Sequence, residues 1–182
     1  MLLAFGIMSV SCGPPGASRG SAPTATSPSS EAKGNVGNFS LKDVDGKPHT
    51  LSDYLGKQVV VLTYFATWCE PCKMELTDLN SYYRTIADQP VTILAIAIDE
   101  PETQGDVRQF AKQRRYGFPV LLDTEQEAAA LFNPKREAPF MVVIDKVPSI
   151  YWTHAGYLPG DDARIRSVIH AAVVQRLEAP HE

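Results

Sequence analysis

Two cysteines three residues apart, Cys69 and Cys72, join a continuously apolar run to an amphipathic stretch, with Glu70 and Pro71 between them. That junction constrains the fold more than any other feature of the 182-residue chain. On its N-terminal side, Gln58 to Ala66 reads as a strand. Val59, Val60, Val61 and Leu62 are uninterrupted, as in a strand buried on both faces. On its C-terminal side, the pattern predicts a helix from about Cys69 to Ala87, with Cys72, Leu76, Leu79, Tyr83 and Ile86 on one stripe. Cys69 then sits at a helix start, where unpaired N–H groups and the helix dipole favour a thiolate. Pro71 fits the first turn, where its missing N–H costs nothing.

Two cysteines at this spacing can close a disulfide without much backbone movement. A thiolate is the nucleophile of disulfide exchange. Cys69 is therefore expected to attack a substrate disulfide, and Cys72, one turn further in, to resolve the mixed disulfide. Two plainer explanations remain open at this point: half of a zinc site, or two reduced core cysteines. A zinc site needs two more ligands, and the chain has no second cysteine pair. Purely structural cysteines have no need to straddle a proline at a helix start.

Beyond this junction, strands and helices alternate. Phe39, Leu41 and Val44 read as a strand, and Asp45-Gly46 as a hairpin turn. Ser52 is expected to cap a short helix that Gly56 ends. Val91–Ile98 is a second buried strand, and Asp106–Tyr116 a helix stopped by Gly117. Val120–Leu122 is a short strand. Thr124 and Glu127 form a capping box for a helix through Phe132. Phe140–Ile144 and Ser149–Thr153 are too closely linked for a crossover helix and must be a hairpin. The last helix runs from Asp162 to about Leu177, with Ile165, Val168, Ile169, Ala172 and Val173 inward and Pro180 closing it. The expected fold is α/β, with a central mixed sheet flanked by helices in three layers.

Hydrophobic residues make up 44% of the chain, which suits one soluble domain of ordinary size plus an appendage. The net charge is -4, with acids and bases interspersed. The densest basic run, Lys112-Gln113-Arg114-Arg115, reads as a solvated helix face, so no nucleic-acid partner is expected. Residues 1–11 are nearly all apolar or small but too short to span a bilayer. With Cys12, they read as a lipoprotein-type leader in which Cys12 becomes the lipidated residue, the alternatives being ordinary secretion, an uncleaved anchor, or a cytosolic protein with a ragged start. Ser9 stands where leucine is usual in that motif. The customary positive start is missing, as it would be if Met1 lay downstream of the true start. Residues 13–36 are rich in Pro, Ser, Thr, Ala and Gly and read as a flexible tether. The folded domain is expected over 37–179.

The stretch from Val59 through Trp68-Cys69-Glu70-Pro71-Cys72 to Glu75 and Leu76 resembles the TlpA/ResA-like family of extracytoplasmic thioredoxin-fold thiol–disulfide oxidoreductases. The resemblance covers about residues 37–178. It implies a thioredoxin-like three-layer sandwich and a redox-active Cys69–Cys72 disulfide. It also implies protein thiols or disulfides as substrates, a membrane-bound thiol electron donor, and, in some members, a part in cytochrome c maturation. Ala138-Pro139 matches the family's cis-proline loop. There the residue before the proline, here Ala138, faces the cysteine pair and offers backbone hydrogen bonds to an extended substrate. Trp68, Glu70 and Pro71 complete the expected substrate-binding surface. Trp68 is expected either to shield Cys69 or to pack in the core.

Glu75 is reached by two routes. Helical geometry sets it beside the apolar stripe, one turn after Cys72, as a half-buried carboxylate with a raised pKa that could relay protons to the thiols. The family places a functional glutamate at the same point. The simpler alternative is a first-turn acid favoured by the helix dipole. Thr63 stands where cytosolic thioredoxins carry a buried aspartate, which leaves Glu75 as the main group for proton traffic. Pro148, Trp152 and His154 also draw attention, but a lone histidine on an edge strand is usually only solvated.

The expected activity is reduction of protein disulfides outside the cytoplasm by a monomer that needs no cofactor or metal. Glu70 adds negative charge beside the thiols and argues against a strong oxidant. Two other activities are alternatives: a peroxiredoxin-like peroxide reductase and a copper-binding assembly protein. The first lacks an evident peroxide pocket. The second uses a longer cysteine spacing with a distal histidine. A non-catalytic adaptor would make the pair dispensable.

Overall fold

All seven residues of the strand Val59–Phe65 are buried, as the apolar run requires, and the rest of the molecule is arranged around it. The structure is a computed structural model that describes residues 36–174. In chain order the strands are β1 (Ser40–Asp43), β2 (Pro48–Thr50), β3 (Val59–Phe65), β4 (Val91–Ala97), β5 (Val120–Leu122), β6 (Phe140–Ile144) and β7 (Ile150–Ala155). The helices are α1 (Glu70–Tyr83), α2 (Gln104–Arg114), α3 (Glu127–Phe132) and α4 (Asp161–Val174). The strands form one seven-stranded sheet in the order β2-β1-β5-β4-β3-β6-β7. β3, β4 and β5 are parallel neighbours, and the remaining pairings are antiparallel. The sheet is mixed because α1 and α2 are crossovers between parallel strands, whereas β1–β2 and β6–β7 are hairpins.

Side chains alternate along β3, and this sorts the helices into layers. Thr63 meets α1 through Glu75, and Phe65 meets Phe110 of α2 with ring centroids 5.9 Å apart. Tyr64 points the other way and donates its hydroxyl to the Ala128 carbonyl of α3 at 3.0 Å. α4 packs beside α1 and over β3. The sheet therefore lies between α1, α2 and α4 on one face and α3 on the other. Burying each large apolar side chain of the central strands contributes about 1.5–3 kcal/mol, so β3 and β4 form a rigid floor under the cysteine pair.

Several local expectations are corrected. Ser52 does not cap a helix. It lies inside a 3-10 turn, Leu51–Asp53, and its N–H donates to Asn38 Oδ1 at 2.9 Å, so a side chain from an earlier segment does the capping. Helix α1 stops at Tyr83 rather than Ala87. The Thr85 N–H and hydroxyl both turn back onto the Tyr82 carbonyl, at 2.8 and 2.7 Å, and compete with further helix. Helix α2 is ended by Arg115 in the left-handed conformation (φ 51°), not by Gly117. Gly117 instead lets the chain approach α1: its N–H reaches Asn80 Oδ1 at 2.8 Å, and a Cβ there would lie 3.3 Å from Tyr83.

The capping box at α3 is absent. The Asp123 carboxylate accepts the N–H groups of Ala128 and Ala129 at 3.2 and 2.8 Å, while Glu127 Oε1 accepts from Ser40 N–H at 3.1 Å. An acid one residue earlier than Thr124 reaches the orphan donors of the first turn of α3. His154 is not simply solvated. Its ring stacks on Trp152 with centroids 5.1 Å apart, and Nε2 lies 3.4 Å from Asp161 Oδ2. The expected end of the last helix at Leu177 and Pro180 lies outside the described residues, as do Cys12 and the leader and most of the tether.

Candidate active site

The turn from β3 into α1 is held from the neighbouring strand. Asp99, just past β4, accepts the Thr67 N–H on both carboxylate oxygens, at 3.0 and 3.1 Å, and also accepts the Thr67 hydroxyl. The Cys69 N–H donates to the Ala66 carbonyl at 3.1 Å. This fixes Cys69 as the N-cap residue of α1, with Pro71 in the first turn. Cys69 and Cys72 are joined as a disulfide with Cα atoms 5.3 Å apart. Cys69 Sγ also accepts the Cys72 N–H at 3.2 Å. Cys69 is the outer of the two, 5% exposed against 0% for Cys72. An N–H aimed at Sγ at a helix start would favour the thiolate once the bond is reduced.

Around the pair, Trp68 is 74% exposed, which excludes the core-packing alternative. Its indole sits on the surface beside Cys69. Glu70 is exposed and pairs with Lys73 Nζ at 2.6 Å. Part of the negative charge expected from Glu70 is thus balanced by a cation one turn away. The Ala138–Pro139 bond is cis. Tyr64 on β3 pairs with Phe140 on β6, so Pro139 lies one residue further, at the sheet end that carries Cys69. The Pro139 carbonyl accepts the Gly156 N–H at 2.8 Å. Among the described residues, neither the N–H nor the C=O of half-buried Ala138 has a hydrogen-bond partner.

Glu75 is more deeply placed than its helical position predicts. It is 1% exposed rather than half-buried, because α4 and Tyr157 cover that edge of α1. Its Oε1 accepts the Thr63 hydroxyl at 2.5 Å, and its Oε2 has no partner in the protein. Burial pushes its pKa from 4.5 up to about 7; the Thr63 hydrogen bond opposes the shift and the nearby Asp161 charge adds to it. One turn on, Asp78 Oδ2 accepts the Tyr157 hydroxyl at 2.5 Å. Burial, then the Asp78 hydrogen bond and charge, push the Tyr157 hydroxyl pKa far up, so it stays a donor.

The structure thus gathers Trp68, Cys69, Glu70, Pro71, Cys72, Glu75, Ala138 and Pro139 at one end of the sheet. Four residues of this neighbourhood are not evident from sequence: Lys73, Asp78, Asp99 and Tyr157. Asp99 ends an apolar strand and reads there only as a strand terminator. An acid directly after a central parallel strand was the available signal. Among the described residues, no three His, Cys, Asp or Glu side chains converge as metal ligands. Among them too, no helix is long and apolar enough to cross a membrane.

Residues 33–153 match the AhpC/TSA family. Among curated relatives, the thiol-disulfide oxidoreductase ResA of Geobacillus kaustophilus (strain HTA426) is 33% identical over 124 residues, 68% of this chain and 69% of the relative. ResA of Bacillus subtilis (strain 168) is 38% identical over 96 residues, 53% of this chain and 52% of the relative. Among solved structures, a thiol:disulfide interchange protein of the thioredoxin family from Chlorobium tepidum TLS superposes with a TM-score of 0.64. It is 27% identical, with 75% of this chain and 93% of that chain covered. An exposed lipoprotein thioredoxin from Streptococcus pneumoniae strain TIGR4 superposes with a TM-score of 0.61 at 28% identity, covering 74% of this chain and 99% of that one.

Proposed function

The chain belongs to the AhpC/TSA family and is a ResA-like thioredoxin-fold thiol–disulfide oxidoreductase, and on that premise we propose that it reduces protein disulfides outside the cytoplasm. The observation that carries the reading is the Glu75 carboxylate, wholly buried one turn beneath Cys72 and hydrogen-bonded to Thr63. A group with a pKa of about 7 one helical turn from the inner thiol can take and return a proton near neutral pH.

In the proposed cycle, the Cys69 thiolate attacks the substrate disulfide and expels one substrate thiolate. Cys72 gives its proton to Glu75. The Cys72 thiolate then attacks Cys69 Sγ, closes the Cys69–Cys72 disulfide and expels the second substrate thiolate. Two electrons pass to the substrate. The unpaired backbone groups of Ala138 receive the extended substrate chain, with Pro139 beneath it and Trp68, Glu70 and Pro71 on the facing wall. A membrane-bound thiol donor restores the dithiol.

The finer assignment is maturation of c-type cytochromes, supported by the likeness to ResA-like proteins. Cys12 is the proposed lipid-bearing residue, residues 13–36 the tether, and residues 37–179 the domain, acting as a monomer. The apolar, small-residue stretch before Cys12 supports this, and so does the lipoprotein among the similar structures. A redox titration of the Cys69–Cys72 pair tests the direction of electron flow. A reductase is expected nearer to about −270 mV than to about −120 mV. A potential at the oxidising end overturns the assignment. Fast reaction of Cys69 alone with peroxide would replace it with peroxide reduction.

A further inference from the structure

Glu75 must lose the proton it takes from Cys72 before it can act again, yet it is sealed from solvent on its Cys72 side. Its unpartnered Oε2 belongs to a carboxylate that lines a narrow cleft between α1 and α4, together with Asp78, Tyr157, Asp162 and Arg166. The free space there is about 10 Å³, room for about one water molecule. Asp78, Tyr157 and Asp162 also line a broad open groove of about 610 Å³ that runs past Glu70 and Met74 beside the cysteine pair. The same side chains therefore separate the sealed carboxylate from bulk water.

We propose that Asp78, held by Tyr157, is the proton exit of Glu75. The proton passes from Glu75 through one water in the cleft to Asp78, and from Asp78 to solvent in the groove. The proposal rests on the proton-accepting role of Glu75 and extends it by one step. Asp78 follows Glu75 by one helical turn and faces the same side. The Tyr157 hydroxyl occupies its Oδ2 and leaves Oδ1 for the water. The other acids facing Glu75 are paired with a cation or the backbone, which makes them poorer proton acceptors. Asp162 pairs with Arg166 at 3.3 Å, and Asp161 accepts the Leu158 N–H at 2.7 Å with His154 nearby. Tyr82, on the same helix, donates to the Arg166 carbonyl at 3.4 Å.

The proton balance closes over one turnover. Cys72 loses one proton to Glu75 as its sulfur attacks Cys69, and Glu75 passes that proton to Asp78 and then to solvent. Each of the two expelled substrate thiolates takes its proton from solvent. When a dithiol donor later reduces the pair, the route runs inward and returns one proton to Cys72. Asp78 touches neither sulfur nor substrate, so it is a positioning residue that acts through Glu75.

Single-turnover exchange of the full-length reduced protein with an aromatic disulfide that releases a coloured thiolate tests the route, since attack by Cys69 and resolution by Cys72 appear as separate phases. In dilute buffer at pH 6, where Glu75 starts mostly protonated and must discharge before it can take the Cys72 proton, Asp78→Asn is expected to leave the first phase unchanged and to slow the second by about tenfold, less than the roughly 100-fold that loss of a general acid–base group can bring. Added imidazole should restore the second phase, because a small buffer can enter the groove. Asp78→Glu, which keeps a carboxylate, should behave like wild type. Glu75→Gln should slow the second phase with no rescue by imidazole.

A slow Glu75→Gln beside a normal Asp78→Asn overturns the exit and leaves the Glu75 role standing. An unaffected Glu75→Gln overturns that role itself. A slow Asp78→Asn that imidazole does not restore means a structural effect only and overturns the exit. If Asp78→Asn does not fold, Tyr157→Phe carries the same test with a smaller slowing, again removed by imidazole. An unslowed Tyr157→Phe then counts against the exit.

Discussion

The Thr63 hydroxyl on β3 and the Glu75 carboxylate on α1 meet at 2.5 Å, both buried. A donor that short favours the charged carboxylate and opposes the burial that favours the neutral acid. Glu75 is thereby held near neutrality instead of being driven higher. Thr63→Val keeps the shape and removes the donor. The loss of a hydrogen bond to a charged group, about 1.5–3 kcal/mol, should raise the Glu75 pKa by about 1–2 units. Resolution by Cys72 should slow at pH 7 and recover at higher pH, as read from exchange rates against pH.

Burial of Glu75 also sets a pH dependence of stability. Its folded-state pKa of about 7 lies above its ordinary value of 4.5. The folded state therefore binds more protons between those two values, and stability falls as pH rises through that window. The contribution is fully present below about 4.5 and lost above about 7. The loss is about 3 kcal/mol at 1.36 kcal/mol per unit. Urea unfolding of the oxidised protein at pH 5 and pH 8 should show this decline in wild type and a flatter profile in Glu75→Gln. Equal slopes in the two proteins would mean that Glu75 does not titrate in this window.

Lys73 offsets the charge of Glu70 at the surface, 2.6 Å away. Lys73→Gln should leave the Glu70 charge uncompensated, raise the Cys69 thiol pKa and make the pair more reducing. An exposed pair is worth about 0.2–1 kcal/mol, so the thiol shift should be less than about one unit. Iodoacetamide alkylation against pH reads it directly.

Two candidate caps, Asp123 and Thr124, stand side by side before α3, and only Asp123 is used. Asp123→Ala should cost about 1–2 kcal/mol, because two N–H groups lose their acceptor. Thr124→Ala should be close to neutral in the same denaturation experiment.

Lipid attachment at Cys12 predicts partition of the native protein into membranes and release by Cys12→Ser. Intact mass of the purified protein is the check. An unmodified chain that still carries Met1 sinks this assignment.

The elements legible in the sequence were those with strong local signals. β5 and β6 match residue for residue, because short apolar runs between turn formers leave little freedom. The cysteine pair, Pro139 and the direction of the Glu75 shift were readable from spacing and likeness. The errors have two causes: at Ser52 and Glu75 a partner far along the chain replaced a local one, and at the end of α2 and the start of α3 another nearby residue took the local role. Asn38 caps the turn at Ser52, Asp123 replaces Thr124, Arg115 replaces Gly117, and α4 closes over Glu75. Asp99, Asp78 and Tyr157 are not legible for the first of these reasons. Their partners lie 32 residues away for Asp99 and 79 for the Asp78–Tyr157 pair, and no periodicity carries such information.

The segment Gly156–Tyr157 holds both sides of the site at once. Gly156 grips the Pro139 carbonyl, and Tyr157, its neighbour, grips Asp78 on the helix that carries the cysteines. The two jaws come from stretches of chain nearly seventy residues apart, yet two adjacent residues set their gape. Their ordering cost is met when the domain folds, not at each encounter. Rigid jaws cannot mould themselves to a client, so the client must supply the flexibility. The expected client is therefore a cysteine in a loose, extended strand of polypeptide rather than one locked in a compact fold.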